Sequence, residues 1–209
     1  MTVLLSDPRV SAVPVRDVDE PMVALDRGFG PDTALVRRGL AIRLESARAA
    51  LPPGIFLRVV EGYRPAHRQQ AIIERYSAEI RAGRPGITAP ELSVLTSRFV
   101  APLEVAPHVA GAAVDLTLVD SRGEELDLGT PIDATPEQSG GRCYFAAEGI
   151  SAEARANRDL LARVLGREGL VNYPTEWWHY SYGDRYWALV TGAGTALYGP
   201  VLGSAGSVE

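Results

Sequence analysis

Apolar positions recur at two different periods along the chain, and the switches between them mark out its elements. Between Thr33 and Leu51, the residues Val36, Leu40, Leu44, Ala47 and Leu51 come at three- and four-residue steps, the spacing of a helix with one buried stripe. Arg and Glu fill its other face, and Pro52-Pro53-Gly54 ends the pattern. Ile55 to Glu61, rich in Ile, Phe, Leu and Val, predicts a strand. Pro65 suits the first turn of a second helix over Ala66 to Ala82, with Ile72 or Ile73, Tyr76 and Ile80 inward; Gly83 to Pro90 breaks it. Val114 to Val119 alternates apolar and polar positions and predicts a half-buried strand. After a long Gly- and Pro-bearing connection to Gly149, Ser151 caps a third helix reaching about Arg167, with Leu161, Val164 and Leu165 on its inner face. Tyr180 to Thr191 predicts one or two aromatic-rich strands. Residues 1–30, punctuated by Pro and Asp, predict an extended wrap over the surface, and the small polar tail 203–209 predicts a loose end. With no internal repeat, the expected fold is α+β: a single domain over 1–202 in which a small, mostly antiparallel sheet packs against about three helices.

Composition narrows the function. The 209 residues are 46% hydrophobic and 22% charged, ordinary for one folded domain. The formal charge of -5, with no run of Lys or Arg, argues against nucleic acid as a partner. No stretch approaches the ~20 apolar residues of a membrane span. The amino-terminal MTVLLSDPRVSAVPVRD has neither a basic leader nor a long apolar run, so a cytoplasmic location is expected. Cys143 is the only cysteine, which excludes an intrachain disulfide. With no histidine near it in the sequence, it is expected to be a buried or idle thiol. Self-association is left open.

Three short stretches carry chemistry: Glu61-Gly62-Tyr63-Arg64-Pro65, His108 to Asp115 (HVAGAAVD), and Glu176-Trp177-Trp178-His179. Two histidines and an aspartate suffice to hold a zinc ion with one position open to water, and a glutamate three residues before the last histidine can serve as the base that activates that water. Each has a plainer reading beside it. His108 and Asp115 are seven apart, so a straight strand points them to opposite faces; they converge only if the chain turns between them, which Gly111 permits. Read alone, Asp115 is a solvent-facing residue on the polar side of a strand. Glu176 and His179 are a surface glutamate and a packed histidine, although the two tryptophans beside them form an apolar wall that strengthens electrostatic interactions. Arg64 sits where a strand gives way to a helix, a place from which a cation reaches into a cleft; read alone, it pairs with Glu61. His67 is expected to be exposed and uninvolved.

Taken jointly, these stretches resemble the D-alanyl-D-alanine dipeptidases of the vancomycin-resistance type, zinc enzymes related to D-alanyl-D-alanine carboxypeptidases and to the hedgehog signalling domain. The family pattern Ser-x-His-x-x-Gly-x-Ala-x-Asp stands here as Ala106, His108, Gly111, Ala113 and Asp115. Glu61 to Pro65 matches the Asp/Glu-Gly-Tyr-Arg-Pro block, and Glu176, Trp178 and His179 match Glu-x-Trp-His. Leu128 to Asp133 is similar to Met/Leu-Gly-Thr-Pro-Phe-Asp, and Asn157-Arg158 matches as well. The resemblance runs in order from about Leu25 to Trp187. It implies one zinc ion, in a cleft on the sheet, held by His108, Asp115 and His179. It further implies Glu176 as general base, Arg64 on the scissile carbonyl oxygen, Asp133 near the substrate's amino end, and a small dipeptide as substrate. Ala106 stands where the family has a substrate-holding serine, so a hydroxyl contact is missing. A D,D-carboxypeptidase, a specialised-metabolism peptidase or amidase, and a non-catalytic zinc-binding recognition domain are the other readings.

Overall fold

A computed structural model of the chain describes residues 2–31 and 34–201. In chain order the elements are α1 (Pro8–Ala12), β1 (Met22–Ala24), β2 (Leu35–Arg37), α2 (Arg38–Ala49), β3 (Ile55–Glu61), α3 (Ala66–Gly83), α4 (Ala89–Thr96), β4 (Ala113–Asp120), α5 (Pro136–Ser139), α6 (Ala152–Arg167), β5 (Val171–Asn172), β6 (His179–Ser181) and α7 (Arg185–Thr191). The fold is α+β. Four strands form an antiparallel sheet in the order β3-β4-β6-β5, and β1 and β2 form a separate antiparallel pair. Among the described residues no helix is long and apolar enough to cross a membrane.

Strand β4 is the axis of the molecule. Val114, Leu116 and Leu118 join Leu40 and Leu44 of α2 and Leu161, Val164 and Leu165 of α6 in the main apolar cluster, so one face of the sheet is closed by two helices whose stripes the periodicity predicts. The alternation of β4 suggests a half-buried strand, yet every residue from Ala113 to Val119 is buried. The face bearing Asp115 and Thr117 is covered too, so the alternation separates two interiors of different polarity rather than inside from outside.

Several elements depart from the periodicity. The helix expected from Thr33 begins at Arg38, because Leu35–Arg37 pairs with Met22–Ala24 instead; Thr33 itself lies outside the described residues. Residues 2–31 are not extended throughout, since Asp7 caps the helical turn α1 with Pro8 in its first turn. Helix α4 begins at the end of the expected Gly83–Pro90 break and continues through residues for which no element is predicted, started by a capping box between Thr88 and Glu91. The expected aromatic strand over Tyr180–Thr191 stops at Ser181. Asp184 then accepts hydrogen bonds from the Tyr186 and Trp187 amides and starts α7, so a cap overrides the strand preference of the aromatic side chains. The predicted loose tail 203–209 lies outside the described residues.

The long connection between β4 and α6 is pinned from below by Arg158. Its fully buried guanidinium donates to the carbonyl oxygens of Leu128, Arg142 and Tyr144, with a longer bond to that of Phe145. Among the described residues no carboxylate partners it, and burial pulls its pKa down to about 10. Replacing Arg158 with Leu strands several buried carbonyls at about 1–3 kcal/mol each. Arg158→Leu should therefore lose about 3 kcal/mol or more, a Tm fall of roughly 6–12 °C for a chain of this size; an unchanged Tm in a thermal melt would show the connection to be held by other contacts.

Candidate metal centre

The sheet register assembles the site. Asp115 of β4 is the cross-strand partner of His179 on β6 and of Glu61 on β3. Directly opposed residues share a face with about 5 Å between their backbones, so three polar side chains stand in one row across three strands. Glu61 reaches that row because β3 bulges between Val59 and Glu61; the extra residue turns Glu61 from the core face to the Asp115 face.

His108 arrives from outside the sheet. It sits in the tight turn between Pro107 and Gly111, whose Gly111 adopts φ +65, and the amides of Gly111 and Arg64 both donate to the His108 carbonyl. The left-handed φ of Gly111 is what favours glycine there; a Cβ would also press on the flexible Met22 thioether at 2.5 Å. The imidazole Nδ1 lies 2.7 Å from the Gly62 carbonyl oxygen. Donation to that oxygen places the ring proton on Nδ1 and leaves Nε2 with a free lone pair towards the centre.

The result is a triangle of donor atoms. His108 Nε2 stands 3.1 Å from His179 Nδ1 and 3.2 Å from Asp115 Oδ2, and His179 Nδ1 stands 3.0 Å from Asp115 Oδ1. Four ligands set tetrahedrally at about 2.0–2.1 Å from zinc are separated by about 3.3 Å, close to these spacings. All three residues are buried, at 4%, 3% and 4% exposure for His108, Asp115 and His179, which removes the reading of Asp115 as a solvent-facing residue. The donor chemistry, the geometry and the tautomer of His108 fit a zinc ion.

Charges are balanced tightly around the triangle. Burial alone would raise the Asp115 carboxyl, but the two imidazoles outweigh it and hold the group well below the usual carboxylate range. Burial pulls the His179 pKa down, whereas the attraction of Asp115 overcomes burial at His108 and lifts it. Glu176, also buried, has Oε2 at 3.8 Å from His179 Nδ1. Burial first, and the negative charge of Asp115 second, push its pKa well above normal. Arg64 pairs with Glu61, as its plainer reading expects, through Nε–Oε1 at 2.8 Å and a second bond from Nη2 to Oε2. Its Nη2 also stands 3.8 Å from Asp115 Oδ2. The two readings of Arg64 are thus compatible: Glu61 aims it at the centre.

These groups form the inner end of a cavity of about 670 Å³ whose walls also include Ala106, Asp133, Tyr173 and Trp178. Ala106 is 2% exposed and offers a methyl where a hydroxyl is absent. Asp133 stands at the cavity rim with φ 63, a left-handed conformation uncommon outside glycine. Desolvation against the wall, followed by Asp115 and Glu61, lifts its carboxyl to about 6. Trp177 points away, into the core, with Nε1 on Thr130. His67 is exposed, and Cys143 is a buried free thiol.

Sequence reasoning overlooked the residues that hold these groups still. Gln69 accepts from Arg64 Nη1 at 2.8 Å and donates to the Ala101 carbonyl. Asn172 donates to the carbonyls of Glu176 and His179, fixing the turn that carries both. Tyr173 packs edge-on against the His179 ring and bonds to Leu5 N and Ser97 O. Of these, only the position of Gln69 on the same helical face as Tyr76 and Ile80 was a usable signal, since a glutamine on an apolar stripe needs a partner.

Comparison with known proteins adds an independent line. A family profile described as D-ala-D-ala dipeptidase (peptidase M15) matches residues 32–191. A D-alanyl-D-alanine dipeptidase of Synechocystis sp. is 30% identical over 85% of this chain and 87% of its own length. One of Enterococcus faecium is 30% identical over 68% and 69% respectively. A solved structure of VanYB in complex with D-alanine-D-alanine aligns at 20% identity and TM-score 0.48, covering 88% of this chain and 89% of that one.

If the triangle binds zinc, adding zinc to chelator-treated protein at about 100 times its dissociation constant should stabilise the fold by about 2.7 kcal/mol, a Tm rise of roughly 5–11 °C. His108→Ala should abolish most of that rise; an equal rise in the variant would remove His108 from the donor set.

Proposed function

The chain belongs to the D-ala-D-ala dipeptidase family of metallopeptidases, and from that premise we propose that it hydrolyses D-alanyl-D-alanine or a closely related small dipeptide at one zinc ion held by His108, Asp115 and His179. The observation that carries this reading is the triangle of donors 3.0–3.2 Å apart with Glu176 and Arg64 beside it in one cavity. A metal that only braces a fold needs neither a base nor a cation at its side.

Held by His108, Asp115 and His179, a zinc ion would supply Lewis acidity towards the scissile carbonyl and a water molecule. The protein's own groups do the rest. Glu176 takes a proton from the attacking water and returns it to the departing amine; a carboxylate whose proton affinity is already raised by burial is suited to both steps. Arg64, locked by Glu61 and Gln69, presents a fixed cation to the carbonyl oxygen as it gains charge, with no reorganisation to offset. Asp133 meets the substrate ammonium at the rim. Trp178 and Tyr173 exclude bulk water, which strengthens each of these interactions. Ala106 makes the wall beside His108 apolar, so a substrate that depends on a hydroxyl there is disfavoured and a related dipeptide with an apolar group at that point is accommodated.

Glu176→Ala should retain zinc by elemental analysis while kcat falls more than ~100-fold; normal turnover in that variant would reassign the base. The pH dependence of binding follows from Asp133. Its carboxyl is neutral below about 6 and charged above it, so an ion pair to the substrate ammonium forms only as pH rises. KM for D-alanyl-D-alanine should fall between pH 5 and 7 in wild type and stay flat in Asp133→Asn; a matching fall in the variant would place the ammonium elsewhere.

A further inference from the structure

The three donors of the metal centre are not held alike. Asp115 and His179 stand on paired strands, whose ladder fixes their backbone. His108 stands in the irregular turn from Pro107 to Gly111, which belongs to neither sheet. Its place therefore depends on what grips that turn from outside.

Much of the grip comes from β2, which straddles His108. On one side, the Leu35 carbonyl accepts the Tyr63 amide at 2.7 Å and so holds Gly62, whose own carbonyl meets the imidazole Nδ1. On the other side, Arg37 takes the two carbonyls that close the turn. Its amide donates to the Gly111 oxygen at 2.8 Å and its Nε to the Ala110 oxygen at 3.0 Å. Among the described residues, Arg37 is the one side chain bonded to a carbonyl of this turn; the Val109 carbonyl accepts the Val201 amide.

The other guanidinium nitrogens face away from the turn. Nη1 donates to the Glu20 carbonyl at 2.8 Å, and Nη2 to Asp17 Oδ2 at 3.1 Å and to the Gly199 carbonyl at 3.4 Å. Asp17 Oδ2 also accepts the Gly199 amide, and the Tyr198 ring lies 5.3 Å from the guanidinium carbon. One buried planar fork thus joins residues 17–20, 107–111 and 198–201, which the point charge of an ammonium could not do. A brace between the two ends of the chain needs only Asp17, Glu20 and Gly199. The bond from Nε adds the turn that carries a metal ligand.

We infer that Arg37 is a positioning residue of the metal centre: by gripping the carbonyls that follow His108, it fixes where that imidazole stands and so sets how tightly the ion is held. This rests on reading the triangle of donors as a zinc site.

Zinc affinity and local hydrogen exchange test the two parts separately, both on Arg37→Lys. While the zinc-free protein is folded at the assay temperature, checked by circular dichroism, a fall in overall stability leaves the zinc Kd unchanged. A change in Kd then reads the placement of the donors. In competition with a chelator, Arg37→Lys should bind zinc at least ~10-fold more weakly than wild type, and the visible bands of its cobalt-loaded form should shift. Equal Kd values and unshifted bands would overturn the proposal. In zinc-free protein, the amides of Gly111 and Arg64 both rest on the His108 carbonyl. Their exchange, followed by NMR, should quicken about 10-fold more in the variant than that of Leu116 in β4. A uniform quickening would make Arg37 a support of the whole fold and also overturn the proposal. Wild type that takes up no zinc, with the local quickening present, would count against the metal centre and leave the placing of His108 by Arg37 standing. Tight zinc binding unaltered in the variant would do the reverse. If Arg37→Lys does not fold, Asp17→Asn carries the same measurements: it removes the charge that faces Nη2 and should weaken zinc binding about 3-fold, an unchanged Kd again overturning the proposal.

Discussion

A carboxylate buried in the middle strand of a sheet is the constraint around which this molecule is arranged. Asp115 is 3% exposed, and an ionised carboxylate taken out of water costs several kcal/mol unless charges and hydrogen bonds replace the lost solvent. Here the replacement comes from His108, His179 and Arg64, drawn from three separate segments. The strands cannot slip by one residue without turning Asp115 into the Leu116 face and leaving the imidazoles without their partner. Register, turn and bulge are therefore set by one electrostatic requirement, and the same requirement leaves three donors facing a common point.

Rigidity follows from how the supporting groups are tied. The Gly62 carbonyl orients His108, Asn172 fixes the turn of Glu176 and His179, Gln69 and Glu61 clamp Arg64, and Arg158 holds the connection that carries Asp133. Each of these partners is itself bound to backbone or to a neighbouring element, so the donors are placed before any ligand arrives. A site prepared in this way loses little conformational entropy on binding metal and presents fixed charge to a developing oxyanion.

Much of this was legible in the chain, for identifiable reasons. Strand β3 and helices α3 and α6 carry clean periodicities with local stops, and the structure has them within a residue or two of the expected ends. Gly111 as the turn that lets His108 and Asp115 converge is a deduction from odd spacing, and its φ bears it out. What periodicity missed depends on partners distant in sequence. The strand at Leu35–Arg37 exists because Met22–Ala24 lies beside it. The burial of Asp115 depends on covering elements that an alternating pattern does not announce. Helix α7 rests on one aspartate, Asp184, outweighing aromatic strand preference. The supporting roles of Gln69 and Asn172 arise only once the fold has brought their partners near, so no local pattern encodes them.

The central claim is that three side chains share one ion, and locating that ion tests it most directly. Anomalous diffraction from crystals of the zinc-loaded protein, collected on both sides of the zinc absorption edge, should show one peak per chain at about 2.0–2.2 Å from His108 Nε2, His179 Nδ1 and an Asp115 carboxylate oxygen. A peak bound by other residues, or density lacking any one of those three contacts, would contradict the account.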